Sequence, residues 1–325
     1  MTASEHGRVP NLRDVYAARK IISRYLKPTP LIHSRQLSKL LEAQVYLKLE
    51  NLQPTRAFKV RGGINFMEIK REEALRRGVI TASTGNHAQS IAYAGSLLGV
   101  RVRIVMPNGV PELKTRANEE LGAEIITYGS YFDEAREYAE RLAAKENHLY
   151  VHPINEPILY EGVATMHLET VEDQPDVDVA INPIGGGSGA SGACIVYKTL
   201  NPAIKVIGVQ AEGAPAFYNS WKDGSIRHVD VKTAAEGLAT GQAYELPLRI
   251  LRERLDDIVL VSDEAMRQAV KAIFLATGQV AELAGAASTA AAFKIRDRLK
   301  GKKVALMVTG GNIETEQLAS ILQKE

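Results

Sequence analysis

The sequence predicts an α/β protein with two open, mostly parallel twisted sheets flanked by helices. Short β-branched apolar runs alternate with helical patterns along the chain, as strand–crossover–strand units require. The runs are continuously apolar rather than alternating, the mark of strands buried on both faces. The length, 325 residues, at roughly 150 residues per domain, gives about two domains.

Runs at 45–49, 102–105, 125–127, 177–181, 206–209, 258–261 and 304–308 read as strands. Patterns at 86–98, 112–121, 132–145, 263–277 and 284–299 read as helices, and 314–323 as a last one. Proline and glycine punctuate the chain near Gln53 and Pro54 and again at 152–157. The expected division is a large domain, 1–52 with 152–325, and a small inserted α/β domain, 53–151.

Composition narrows the function. Hydrophobic residues are 45% and charged residues 24%, an ordinary globular balance that excludes disorder or coiled coil as whole-chain descriptions. Lysine and arginine number 40 against 38 aspartates and glutamates, so no basic face for nucleic acid is expected. Cys194 is the single cysteine, which excludes an intrachain disulfide and fits a cytoplasmic location. Residues 1–13 hold no apolar core of an export signal. The longest uncharged stretch, 179–197, is glycine-rich and carries Asn182 and Pro183, so no membrane partner is expected.

Three loops follow predicted strands. The sharpest is Gly185-Gly186-Gly187-Ser188-Gly189-Ala190-Ser191-Gly192, which opens a helical pattern. Backbone N–H groups at such a helix start make an anion site, most often for phosphate. The alternatives are a flexible turn or a dinucleotide fingerprint, Gly187-x-Gly189-x-x-Gly192 with Glu212 about 20 residues on. The second loop, Ser83-Thr84-Gly85-Asn86-His87, suits a carboxylate or phosphate, or is an ordinary helix cap. The third is Thr309-Gly310-Gly311-Asn312. Ligands of open α/β sheets sit beyond the carboxyl ends of strands, so the three loops can share one crevice.

Lys59 lies between Phe58 and Val60, with Gly62 and Gly63 following. A lysine on a helix is usually solvated. One held in an apolar pocket has a lowered pKa and is a nucleophile toward an aldehyde. There is no phosphate-loop lysine motif, zinc-protease helix, paired-cysteine zinc spacing or serine-hydrolase elbow, and no metal site is expected. Cys194 reads as a small buried hydrophobe.

Taken in order, 47–55, Ala57-Phe58-Lys59-Val60-Arg61-Gly62 and the three loops resemble the fold-type II pyridoxal-phosphate enzymes, whose fold is that of the tryptophan synthase β subunit. The branch resembled is threonine/serine dehydratase and serine racemase. The resemblance runs from about Pro28 to Asn312. It implies pyridoxal 5'-phosphate on Lys59 as a Schiff base, with its phosphate at Gly185, Gly186, Gly187, Ser188 and Gly189. It puts Asn86 on the ring hydroxyl, Phe58 along the ring, Thr309 at the pyridine nitrogen and Glu282 nearby; read from the sequence alone, Glu282 is a helix-cap or ion-pair acid. The substrate carboxylate would dock at Ser83, Thr84, Gly85, Asn86 and His87. Lys59 would take the Cα proton, and loss of the β-hydroxyl would end in a 2-oxo acid and ammonia. A homodimer or higher homo-oligomer is the family expectation.

Four departures accompany the resemblance. Thr84 stands where racemases have a serine acid/base. Gln210 and Ala216 stand where metal-stimulated members carry carboxylates, with Glu212 a residual candidate. Ser188 and the residues after it replace a run of glycines and aliphatics. The segment 160–165 differs from the usual glycine-rich pattern, and Arg56 replaces a small residue near Lys59. The expected activity is dehydration of L-threonine or L-serine. Racemisation, or a bulkier or charged substrate such as phenylserine or hydroxyaspartate, is the alternative. The chain ends soon after Asn312, so no isoleucine-sensing domain is expected.

Overall fold

The computed structural model describes residues 8–110 and 112–323. Residues 1–7 of the polar N-terminal stretch, Pro111 and residues 324–325 of the expected domains lie outside the described residues. Ten strands are described: β1 (Leu31–His33), β2 (Gln44–Leu49), β3 (Val79–Ala82), β4 (Val102–Met106), β5 (Glu124–Thr127), β6 (Leu149–Tyr150), β7 (Val179–Pro183), β8 (Lys205–Ala211), β9 (Asp257–Val261) and β10 (Lys303–Val308). The six-stranded sheet is ordered β1-β2-β10-β7-β8-β9 and the four-stranded sheet β5-β4-β3-β6. β1 pairs antiparallel with β2, and the other pairings are parallel. Every strand of the smaller sheet falls between 79 and 150.

Six helices matter to the site: α1 (Leu12–Ile22), α2 (Val60–Ile69), α3 (Asn86–Leu98), α4 (Pro157–Asp173), α5 (Ser188–Leu200) and α6 (Leu283–Lys294). The expected strand 177–181 is shifted to Val179–Pro183, although ladder-like bonding starts at the Asp178 N–H. The expected helix 284–299 is broken. Its backbone leaves helical geometry at Ile295 and resumes as Arg296–Leu299. α4 has no counterpart in the sequence reading because it is buried on nearly all sides, which erases the polar face that marks a helix.

Register aligns the strand ends. Val308 of β10 lies opposite Leu49 of β2, and Pro183 of β7 opposite Val209 of β8. The glycine loop after β7 and the Thr309 loop after β10 therefore leave the larger sheet at its carboxyl edge, and the Ser83 loop leaves β3 of the smaller one.

α2, which starts one residue after Lys59, is wedged between α3 and α4. A Cβ on Gly63 would lie 2.3 Å from Ser90 Oγ, and one on Gly162 would lie 2.5 Å from the Arg61 carbonyl oxygen. These close approaches leave no room for a side chain. Below Lys59 sits a closed ion cluster. The fully buried Arg61 guanidinium donates to both oxygens of Glu50, each at 2.8 Å. It also donates to both oxygens of Glu169, at 2.6 and 2.7 Å. Lys48 Nζ donates to Glu169 at 2.7 Å and to the Thr29 carbonyl. Burial alone would raise the Glu50 carboxyl, but the Arg61 charge and hydrogen bonds and the Lys48 charge hold it at about 2. The same two carboxylates offset the effect of burial on Arg61 and raise its pKa.

Removing one member orphans the rest. Arg61→Met should cost about 3–5 kcal/mol in urea unfolding, because two buried carboxylates lose their partner. An unchanged unfolding midpoint would refute a structural role for the cluster.

Candidate active site

The three loops and Lys59 line one cavity of about 1310 Å³. Lys59 caps the start of α2, and its carbonyl accepts from Ser90 Oγ at 2.7 Å. Its side chain is half-buried, and Nζ stands 5.6 Å from the centre of the Phe58 ring. No carboxylate among the described residues pairs with it. Burial therefore lowers the ammonium from 10.5 to about 8, so a fraction of free amine exists at neutral pH.

The chain before Lys59 is stitched to the loop after β10. Phe58 N–H donates to Thr309 O at 3.0 Å, Gly311 N–H to Arg56 O at 2.8 Å, and Ala57 bridges Gly310. Arg56 adopts φ 53°, a left-handed conformation that costs a non-glycine residue about 1–2 kcal/mol. Its exposed side chain lines the cavity.

The glycine loop turns sharply into α5. Gly187 has φ 90°, and a Cβ on Gly185 would lie 1.9 Å from the Gly237 carbonyl oxygen. The N–H groups of Gly185, Gly186 and Gly187 donate to no backbone carbonyl among the described residues, and with the first turn of α5 they form an anion cradle. Ser188 and Gly189 complete it, and all five residues line the cavity.

Across the cavity, a chain of side chains fixes Asn86. Its Nδ2 donates to Glu282 Oε1 at 2.8 Å, and its Oδ1 accepts from Asn312 Nδ2 at 2.8 Å. Asn312 also donates to the Thr55 carbonyl at 3.0 Å. Glu282 is the residue before α6, but its side chain makes no cap bond. Glu282 is thus the N-cap residue by its backbone alone: its carboxyl lines the cavity and holds Asn86. Burial raises that carboxyl to about 7, against the Asn86 hydrogen bond.

His87 lines the cavity with the rest of its loop, and its ring Nε2 lies 3.0 Å from Thr81 Oγ1. The Thr81 hydroxyl gives its proton to the Val151 carbonyl at 2.8 Å, so His87 Nε2 carries the proton that Thr81 accepts. Burial, then the charges of Lys59 and His152, keep the imidazole neutral. Ser83, Thr84 and Gly85 line the cavity, with Ser83 Oγ accepting from the Gly85 N–H at 3.2 Å.

Several expected features lie elsewhere. Glu212 is outside the cavity and pairs with Lys294 at 3.0 Å, so it lacks the position a dinucleotide would need. Gln210 is buried and accepts from the Tyr218 N–H. Cys194 is fully buried in α5. The segment 160–165 does not line the cavity, whereas Arg56 does. The sequence reading gave no role to Arg61, Glu50, Glu169, Lys48 or Asn312. Two charges flanking Leu49 in an apolar strand were the visible sign of the first group.

An amine beside an anion cradle, with a ring-sized apolar wall at Phe58, fits a phosphorylated aromatic aldehyde. Residues 22–310 match the family described as pyridoxal-phosphate dependent enzyme. The chain belongs to the pyridoxal-phosphate-dependent enzymes. It is 39% identical over 314 residues to the L-threonine ammonia-lyase of Thermotoga maritima, covering 96% of this chain and 78% of that one. It is 35% identical over 315 residues to the L-threo-3-hydroxyaspartate ammonia-lyase of Saccharomyces cerevisiae, covering 97% of each. The structure of maize serine racemase superposes with a TM-score of 0.92 at 28% identity, covering 96% of this chain and 97% of that one. The cofactor of this enzyme is pyridoxal 5'-phosphate, and no helix among the described residues is long and apolar enough to cross a membrane.

The raised Glu282 carboxyl gives a signed pH effect. A proton is held more tightly in the folded enzyme than in the unfolded chain, whose carboxyl titrates near 4.5. This stabilises the fold fully below pH 4.5 and is lost as pH rises through about 7. Glu282→Gln should therefore be the more stable form at pH 8, by on the order of 1–3 kcal/mol, with the gap narrowing toward pH 5. Urea unfolding across pH checks this, and a gap independent of pH would overturn it.

Proposed function

We propose that this enzyme is an ammonia-lyase of β-hydroxy amino acids, L-threonine and L-serine first, giving a 2-oxo acid and ammonia by α,β-elimination. The single observation that carries the reading is Lys59. It is an amine without a carboxylate partner, lowered to about 8, in the cavity that also holds the glycine cradle and the Ser83 loop.

In this reading Lys59 holds the cofactor aldehyde, and Gly185, Gly186, Gly187, Ser188 and Gly189 hold the phosphate. Phe58 would line the ring, Asn86 with Glu282 would hold its hydroxyl edge, and Thr309 would stand at its nitrogen. The cofactor supplies an electron sink for the pair released at Cα. Thr309 offers a neutral hydroxyl there, which does not enforce a ring proton as a carboxylate would. The loop Ser83 to His87, with the free N–H groups at the start of α3, takes the substrate carboxylate. The freed Lys59 amine then takes the Cα proton, and its lowered pKa keeps part of it in the base form at neutral pH. Thr84 adds a hydroxyl on the carboxylate side of the cavity.

The same reading treats 53–151 as a smaller domain that carries the carboxylate loop, and 1–52 with 152–325 as the domain that carries the cradle. A cytoplasmic location and a homodimer or higher homo-oligomer accompany it.

Purified enzyme should show a visible absorption band that borohydride removes, and Lys59→Ala should lack it. Native enzyme should release ammonia and 2-oxo acid from L-threonine or L-serine, and Lys59→Ala should lose at least about a thousandfold in kcat. D-serine without ammonia would replace the lyase reading by racemisation; an unchanged spectrum in Lys59→Ala would refute the assignment of Lys59.

A further inference from the structure

Arg56 has features that the lyase reading does not use. Along the bridged segment its neighbours Thr55 and Ala57 turn inward, 6% and 0% exposed, while Arg56 turns out into the cavity. Its backbone is clamped on both sides: its N–H donates to Gln53 O at 2.7 Å and its carbonyl accepts from Gly311 at 2.8 Å. Its φ of 53° lies where glycine is at ease and arginine is not. Backbone strain kept at a site wall points to a role for the side chain.

The charge inventory of the cavity says what that role is. Its lysines and arginines are Lys59, Lys114 and Arg56. Lys114 pairs with Glu236, and Lys59 is the reacting amine. Arg56 pairs with no carboxylate among the described residues. Its planar fork matches a carboxylate in two-point geometry. The Ser83 loop already takes one carboxylate, so the fork is left for a second. Space allows it: at about 1310 Å³ the cavity exceeds the roughly 300–1000 Å³ usual for small-molecule sites.

Resting on the lyase reading, we propose that Arg56 is a specificity-determining residue that selects amino acids bearing a carboxylate beyond the hydroxylated Cβ. The preferred class is the 3-hydroxy dicarboxylic amino acids. The elimination is unchanged: the Cα–H and Cβ–O bonds break, the proton that Lys59 takes from Cα ends on the departing hydroxide, which leaves as water, and a second water hydrolyses the resulting imine to the 2-oxo acid and ammonia.

The test compares native enzyme, Arg56→Gly and Arg56→Lys on L-threo-3-hydroxyaspartate and L-serine. Glycine takes the left-handed conformation freely, so Arg56→Gly should fold with an unchanged or higher Tm. Native enzyme should favour hydroxyaspartate in kcat/KM, and Arg56→Gly should lower that value at least about tenfold through KM while serine turnover changes less than about twofold. Arg56→Lys should keep part of the preference. A second readout needs no turnover: L-malate, which lacks the amine, should bind native enzyme in calorimetry and bind Arg56→Gly at least about tenfold more weakly. Equal losses on both substrates, a native enzyme that prefers serine, or equal malate binding by both forms overturns the proposal. Release of ammonia from neither substrate by native enzyme overturns the lyase reading, and the malate comparison then decides Arg56 by itself.

Discussion

The structure rests on the buried union of Arg61 with Glu50 and Glu169. Each carboxylate presents both oxygens to one guanidinium, and Lys48 supplies the second positive charge that makes the group neutral as a whole. Its parts come from the end of β2 and the residue after it, the first turn of α2 and the C-terminal part of α4. A neutral cluster with its hydrogen bonds made is tolerable in a dry interior, and an incomplete one is not. It therefore admits one arrangement of these three segments. Lys59 stands two residues before Arg61, so fixing the guanidinium fixes where the amine begins. The zip of 55–58 onto 309–312 fixes the other side.

Close approach does the remaining positioning. Gly62 and Gly162 let α2 and α4 touch, Gly63 lets α2 touch α3, and Gly192 brings α5 to within a Cβ contact of 2.9 Å from Ala164. Four helices thus meet without side chains between them around the starting point of α2. At such distances a single methyl group must move backbone. The anion cradle at the start of α5 and the loop at the start of α3 are held relative to Lys59 by this contact, not by flexible chain.

Much of this was legible in the sequence, and the misses share a cause. Parallel strands could be read because burial on both faces leaves an unbroken apolar run, as in 304–308 and 206–209. The three loops could be read because glycine and small hydroxyl residues have few other reasons to cluster after a strand. α4 could not, since a helix buried all round has no polar stripe. Arg61, Glu50 and Lys48 could not, since a charged residue in a local window reads as solvent-facing, and only tertiary contact shows three of them completing one another. The ring of His87 is a similar case. Its place in the loop was evident, but the direction of its ring depends on Thr81 and Val151, from elsewhere in the fold.

The reaction chamber manages charge in the opposite way from the cluster beneath it. Burial lowers Lys59 to about 8, raises Glu282 to about 7 and keeps His87 neutral. These three titratable groups of the cavity are thus all pushed toward their uncharged forms. A phosphate or the carboxylate next to Cα entering such a space meets oriented N–H groups at two helix starts. Dipoles of this kind bind an anion without requiring a buried counter-ion when the anion leaves. Full charge is kept where it is internally cancelled, at Arg61, or where solvent reaches it, at Arg56. The separation leaves the Lys59 proton free to respond to its aldehyde and substrate partners, because no nearby carboxylate holds it in place.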